Sequence, residues 1–317
     1  MSKLKIVITD ADTVFDGSVT ADFLSALGEV EIYGLTSKEE LIPRIEDADI
    51  VLCNKTVIGK PEMDAAKNLK YIGLFATGFN NIDTDYAREK GITVCNVPGY
   101  STEAVAQHTF AFILALLDRV GEYNETVKKG DWIKSRTFSY FPFPIYELSG
   151  KTLGIVGYGA IGRRVADIAL AFGMRVLAFN RSQIKDERAK QVDFDTLLRE
   201  SDIVTLHCPL NADSENIMNA EAFSKMKKGA IFINTARGAL VDEAALRDAL
   251  DREQLLGAGV DVLRIEPMTA DCPLYGAPRC LITPHIAWAG TGTRMRLMGI
   301  VKENIECFLA KKPQNTV

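Results

Sequence analysis

The chain is poor in histidine: His108, His207 and His285 are the only three among 317 residues. Proton transfer near neutral pH favours imidazole, so the choice of acid–base groups is narrow before any motif is read. No CxxC pair occurs. The six cysteines stand at 53, 95, 208, 272, 280 and 307, most of them inside apolar runs. That spacing predicts reduced, mostly buried thiols in a cytoplasmic protein, and no metal site. There is no basic block and the net charge is −5, so neither nucleic acid nor a membrane surface is an expected partner. The apolar run TFAFILALL (109–117) is too short to span a bilayer and reads as a buried helix. No repeat of 20–50 residues and no low-complexity tract is visible. The opening MSKLKIVITDAD runs straight into a strand pattern, so no signal peptide is expected.

The residues that are present suit about two globular domains, with 47% hydrophobic and 25% charged side chains. Strand patterns lie at 5–10, 30–34, 48–54, 71–77 and 92–96, with helical stretches between, for example 61–69 and 83–90. A second alternating region places strands at 152–157, 175–180, 203–207, 230–234 and 257–261. Its helices are expected at 160–172, 193–200, 219–226 and 242–251, with a final helix at about 291–310. Alternation of this kind implies parallel βαβ units, and near-continuous apolar strands imply helices on both faces. A long helix is expected from Ser101 or Thr102 to about Lys129. Its centre is apolar nearly all round, which places it in an interface between domains or subunits. The segment TFSYFPFPIYELSG (137–150) carries Pro142 and Pro144 and is expected to be extended. It is either a loop packed on its own domain or an arm laid on a second subunit.

One glycine run carries a specific chemistry. Gly157-Tyr158-Gly159-Ala160-Ile161-Gly162 fits GxGxxG, with a strand before it and a helix after it. Gly157 allows the sharp turn, Gly159 admits a pyrophosphate against the backbone, and Gly162 lets helix and strand pack closely. The helix N-terminus then offers unpaired N–H groups to phosphate. These features predict a dinucleotide site.

An acidic residue is missing where such a site usually has one. The second strand, MRVLAFN, ends at Asn180, followed by Arg181 and Ser182. A carboxylate there would accept from the ribose hydroxyls and repel a 2′-phosphate. Asn180 removes the repulsion, Arg181 can pair with phosphate and Ser182 can donate to it. The expected cofactor is NAD(P), with NADP(H) favoured over NAD(H). The alternative leaves Arg181 in solvent and Asn180 on the hydroxyls of NAD(H).

Arg237, in IFINTARGALVDEAAL, should emerge at the C-terminal end of a strand, where open α/β sheets bind ligands, with Asp242 capping the next helix. GAGVDVLRIEP supplies Asp261 and Glu266, and LITPHIAW supplies His285. His207 sits at a strand end beside the glycine turn. His108, inside the long helix, is expected to be structural.

GYGAIG, NTARG, VDVLRIEP, TPHIAW and the upstream NVPGYSTEAVAQHT (96–109) occur in the order of one family. Together they resemble the D-isomer-specific 2-hydroxyacid dehydrogenases over nearly the whole chain. Within it, LFATGFNNID, FPIYELSGKTLGIVGYGAIG and ITPHIAWA look closest to glycerate dehydrogenases, also called hydroxypyruvate reductases. The resemblance implies two Rossmann-like α/β domains with doubly wound parallel sheets. The dinucleotide-binding domain (99–288) is inserted into a split substrate domain (1–98 plus 289–317), and the active site lies in the cleft. It implies Arg237, Glu266 and His285 as the catalytic set, and a homodimer built on the nucleotide domains.

The implied reaction is NAD(P)H-dependent reduction of a small 2-keto acid to a D-2-hydroxy acid, here hydroxypyruvate or glyoxylate. Arg237 would bind and polarise the substrate, backbone N–H groups near Thr77 and Gly78 would hold its carboxylate, and Trp288 would close the pocket. His285 would donate the proton, oriented and favoured in its charged form by Glu266. The resemblance further places Asp261 at the nicotinamide amide, and His207, Pro209 and Thr235 along the cofactor. Alternatives of the same fold are a D-lactate-type or other 2-keto acid reductase and a dinucleotide-sensing interaction protein.

Overall fold

A computed structural model describes residues 3–317. The chain divides into two compact units, one of residues up to Ser101 with Ala289–Val317, the other of Thr102–Trp288. No helix among the described residues is long and apolar enough to cross a membrane.

The first unit holds a five-stranded sheet: β1 (Leu4–Ile8), β2 (Gly28–Ile32), β3 (Ile50–Cys53), β4 (Tyr71–Leu74) and β5 (Thr93–Cys95). Their order is β2-β1-β3-β4-β5 and every pair is parallel. β3 and β4 are buried along their whole length, as their unbroken apolar sequences require. Helices α1 (Lys38–Ile45), α2 (Lys60–Ala65) and α3 (Thr84–Glu89) connect the strands. Ser37 caps α1 in a reciprocal box with Glu40, and Asp83 caps α3. The C-terminal helix, Thr291–Leu309, returns to this unit and packs on β4. Its buried Arg294 grips the N-terminal loop, donating to Val14 O at 3.2 Å and pairing with Asp16 at 2.6 Å.

The second unit holds β6 (Thr152–Val156), β7 (Arg175–Phe179), β8 (Lys190–Gln191), β9 (Ile203–Leu206), β10 (Ala230–Asn234), β11 (Leu255–Val260) and β12 (Cys280–Ile282). All pairs are parallel, in the order β12-β11-β10-β9-β6-β7-β8. The winding reverses between β6 and β9, the place where doubly wound sheets hold ligands beyond their strand ends. Helices α4 (Thr102–Asp118), α5 (Val120–Lys128), α6 (Ala160–Ala171), α7 (Phe194–Glu200), α8 (Ala220–Lys225) and α9 (Glu243–Asp251) complete it.

Two expectations need correction. The long helix is two helices: Arg119 adopts a left-handed backbone (φ 53°) that ends α4 and starts α5. Much of α4 is buried. Its apolar face packs within its own unit against α6, β10 and β11. Glycines in β11 make room for it, because a Cβ at Gly259 would stand 2.5 Å from the Phe112 ring. The cysteines are free, but only Cys53 and Cys95 are buried and the other four are half-buried. Strands β8 and β12 were not anticipated. The 137–150 segment forms neither helix nor strand. It is anchored locally: Tyr123 donates its hydroxyl to Phe143 O at 2.7 Å, and the Arg119 guanidinium lies 4.1 Å from the Phe143 ring centroid. Phe138 (90% exposed) and Phe141 (79%) are left on the surface.

Candidate active site

The glycine turn is built by contact. A Cβ on Gly157 would meet the backbone of His207 and Cys208 at 2.5–2.7 Å, and Gly157 has φ +94°. Two requirements, handedness and space, therefore fix glycine there. A Cβ on Gly162 would lie 2.3 Å from Gly157 O, so α6 can approach β6 only without a side chain. Gly159, the N-cap of α6, has nothing within 4 Å of its Cβ position. Its open face meets the N–H groups of Ala160 and Ile161 at the helix start, a cradle suited to a diphosphate.

At the end of β7, Asn180 Oδ1 accepts from Tyr158 N–H at 3.2 Å, and its Nδ2 donates to Ser182 Oγ at 2.8 Å. The amide oxygen is thus tied to the glycine turn, and the Ser182 hydroxyl, already accepting, keeps its own proton to give. Arg181 is 70% exposed and lies 3.5 Å from Asp213. An exposed pair of that length contributes little and yields readily to a stronger anion.

His207 follows β9. Its Nε2 is 3.0 Å from Thr205 Oγ1, while its Nδ1 is enclosed and has no partner. Burial holds this imidazole down to about 3, although the residue keeps some exposed surface. It is therefore a neutral imidazole rather than a proton donor. Pro209 is exposed beside it, and its carbonyl accepts from Ser214 at 2.8 Å.

Arg237 stands at the end of the β10 segment and is exposed. Buried Asn234 shapes this turn, accepting from Ala236 N at 3.0 Å and donating to Arg237 O at 2.9 Å. Thr235 is buried and hydrogen-bonds Thr109 of α4 at 3.1 Å. Gly238 then presses on the 263–264 backbone so closely that a Cβ would lie 1.9 Å from Leu263 C. Asp242 caps α9, accepting from Ala244 N and Ala245 N.

That contact leads directly to Glu266. Its Oε1 accepts from Leu263 N–H at 3.0 Å, and its Oε2 lies 2.7 Å from His285 Nδ1. Because a carboxylate only accepts, Nδ1 carries the shared proton and Nε2 is the ring atom turned to other partners. Both side chains are partly exposed, His285 at 28% and Glu266 at 36%. His285 has a left-handed backbone, φ 55°, unusual for this residue type. Asp261 holds it there. Its carbonyl accepts from His285 N–H at 2.8 Å, and its carboxylate accepts from Ile286 N and Ala287 N at 2.8 Å each. Arg237, Glu266 and His285 are thus joined within one unit through Gly238 and the 263–266 loop.

In the first unit, the Thr77 hydroxyl donates to Val97 O at 2.7 Å, leaving its backbone as the group to offer. Gly78 follows it in the same loop. Trp288 is half-buried three residues beyond His285. Sequence reasoning missed Asn234, the tight packing of Gly238, and Glu243, which accepts from Arg264 N at 2.7 Å and steadies the loop. NTARG pointed to the turn, but only the fold reveals what it touches.

Residues 110–287 match the model of the D-isomer specific 2-hydroxyacid dehydrogenase NAD-binding domain. A hydroxypyruvate reductase of Blautia hydrogenotrophica is 42% identical, with 99% of each chain covered. A glycerate dehydrogenase of Methylorubrum extorquens is also 42% identical, over 88% of each. An NADPH-dependent glyoxylate/hydroxypyruvate reductase of Sinorhizobium meliloti, solved with NADP and malonate, superposes with a TM-score of 0.87. It is 25% identical, covering 100% of this chain and 97% of that one.

Proposed function

Since the chain belongs to the D-isomer specific 2-hydroxyacid dehydrogenase family, we propose that it reduces hydroxypyruvate and glyoxylate to D-glycerate and glycolate. The observation that carries this reading is the 2.7 Å His285–Glu266 pair, whose carboxylate is also fixed by Leu263 N–H. It presents one imidazole nitrogen to a reacting oxygen and anchors the other.

Gly157, Gly159, Ala160, Ile161 and Gly162 fit a dinucleotide, and His207, Pro209 and Thr235 are assigned to its flank. The bound dinucleotide supplies a hydride to the carbonyl carbon of the keto acid. Arg237 offers a forked donor to the substrate's carboxylate and carbonyl, which draws electron density from the carbon. His285 gives a proton to the carbonyl oxygen as negative charge builds there, and takes one from the hydroxyl in the reverse direction. Glu266 keeps Nδ1 protonated and the ring oriented. Thr77 and Gly78 contribute backbone N–H groups to the substrate carboxylate, and Trp288 limits the space for its side chain. Asp261 is assigned to the nicotinamide end, where its main work is to shape the His285 turn.

The preferred cofactor is NADP(H). Asn180 has committed its oxygen to Tyr158, so this corner offers donors: the Ser182 hydroxyl and the Arg181 guanidinium. Donors suit a phosphate better than they suit ribose hydroxyls alone. The NADP-bound Sinorhizobium meliloti enzyme supports the same choice. The exposed Trp132, Phe138 and Phe141 support a homodimer, and six free thiols support a cytoplasmic location.

The test is a set of initial rates with hydroxypyruvate, glyoxylate, pyruvate and a branched keto acid, each with NADPH and NADH. The reading requires the highest kcat/KM for one of the first two with NADPH. A branched keto acid ranked first would contradict the substrate, and NADH ranked first would contradict the cofactor.

A further inference from the structure

His108 was expected to be structural, yet its ring faces a buried carboxylate, Asp261, that holds the His285 turn. It lies on α4, partly buried, edge-on to Phe112 with ring centroids 4.7 Å apart. Its Nε2 is 3.0 Å from Thr283 Oγ1 and 3.7 Å from Asp261 Oδ1. Thr283 in turn donates its hydroxyl to Asp261 Oδ1 at 2.5 Å. Asp261 is 1% exposed.

The proton inventory fixes the direction of this chain. A hydroxyl has one proton, and a carboxylate can only accept it. Thr283 therefore spends its proton on Asp261 and must accept from His108, so His108 Nε2 carries hydrogen. Asp261 Oδ1 also accepts from Ile286 N at 2.8 Å, and Oδ2 from Ala287 N at 2.8 Å. These two residues directly follow His285, and the Asp261 carbonyl holds His285 N–H itself. A relay thus runs from α4 to a turn whose histidine is kept in a left-handed conformation. Such a conformation persists where neighbouring groups over-determine it.

We propose that His108 is a positioning residue for the reaction, acting through Thr283 and Asp261 to hold the turn that presents His285. The inference rests on the reading of His285 as the proton donor. Removing the Nε2 donor leaves Thr283 Oγ1 short of a hydrogen bond and frees its hydroxyl to rotate away from Asp261. The turn then loosens while the ring's packing on Phe112 can be kept.

The test compares H108F, H108Q, T283V and the double variant H108F/T283V by steady-state kinetics, NADPH fluorescence titration and thermal melts. H108F should lower kcat about tenfold, the worth of one well-placed hydrogen bond. KM for the keto acid and the affinity for NADPH should move less than about twofold. H108Q keeps an N–H donor able to reach Thr283 and should regain most of kcat, which loss of packing alone would not predict. T283V should resemble H108F, and the double variant should be no slower than the worse single one. The proposal is overturned if H108Q is as slow as H108F, if the two losses multiply, or if T283V keeps full kcat. Should H108F fail to fold, T283V decides alone. An H285A variant separates the two ideas: its near-normal turnover would remove the reading of the site, whereas an inactive H285A with full turnover in T283V would remove only this one.

Discussion

Replacing Gly238 by alanine should disable the enzyme without unfolding it. The backbone of Gly238 is not left-handed, so handedness imposes no penalty. Space does. The new Cβ would stand 1.9 Å from Leu263 C, 2.0 Å from its oxygen and 2.4 Å from Arg264 N. All three are main-chain atoms that cannot swing aside. Ordinary contact begins at 3.4 Å, so the two segments must part by about 1.5 Å. One carries Arg237, the preceding residue, and the other carries Glu266, two residues beyond Arg264. A displacement near 1 Å between reacting groups costs on the order of 10²-fold in rate. G238A should therefore lose about 10² or more in kcat/KM for hydroxypyruvate. The glycine turn at 157–162 is not part of this contact, so NADPH affinity by fluorescence titration should fall far less than kcat/KM. A G238A enzyme with kcat/KM within about twofold of the parent would refute the idea that this contact sets the geometry of the site.

Other positions give different signatures. G159A should melt as the parent does, because its Cβ enters open space at a compatible φ of −82°, yet its KM for the dinucleotide should rise about tenfold or more; a lowered melting point with unchanged KM would contradict the cradle. R181A should raise KM for NADPH about tenfold, the worth of a charge-assisted hydrogen bond, and leave NADH nearly unchanged; equal effects on both would show that Arg181 does not serve a phosphate. His207 gives a pH signature. Its folded-state value, near 3, lies below that of an exposed imidazole, so its contribution is full above about pH 6.5 and is lost as pH falls from there toward 3. The loss is at most about 1.4 kcal/mol per pH unit, and H207Q should flatten the slope of urea-melt stability between pH 6.5 and 5. Parallel slopes for the two proteins would contradict it.

Local chemistry made much of this molecule legible in its sequence. The strand–glycine–helix run at 152–171 was readable because GxGxxG, an apolar strand and a helical period converge on one geometry. The ends of α6, α7, α8 and α9 fell within a residue of expectation, since caps such as Asp193, Asn219 and Asp242 are local signals. The break at Arg119 was hidden because the left-handed residue itself is an arginine, while the nearby Gly121 lies inside α5. The guanidinium of this left-handed residue reaches the Phe143 ring, a contact that local sequence does not announce. β8 and β12 escaped because they are only two and three residues long and lie at the sheet edges. In the site, Arg237, Glu266 and His285 could be named from motifs. The work of Gly238 and His108 could not, because each acts on atoms far along the chain.

The most direct measurement is single-turnover reduction of hydroxypyruvate by H285A pre-loaded with NADPH, beside the parent protein and an NADPH binding titration. The account predicts a rate lowered by about 10² or more with NADPH affinity retained, as expected when a general acid is removed. A near-parental rate would contradict it, because no other imidazole in this chain is free to serve: burial keeps His207 neutral, and the proton on His108 Nε2 is committed to Thr283.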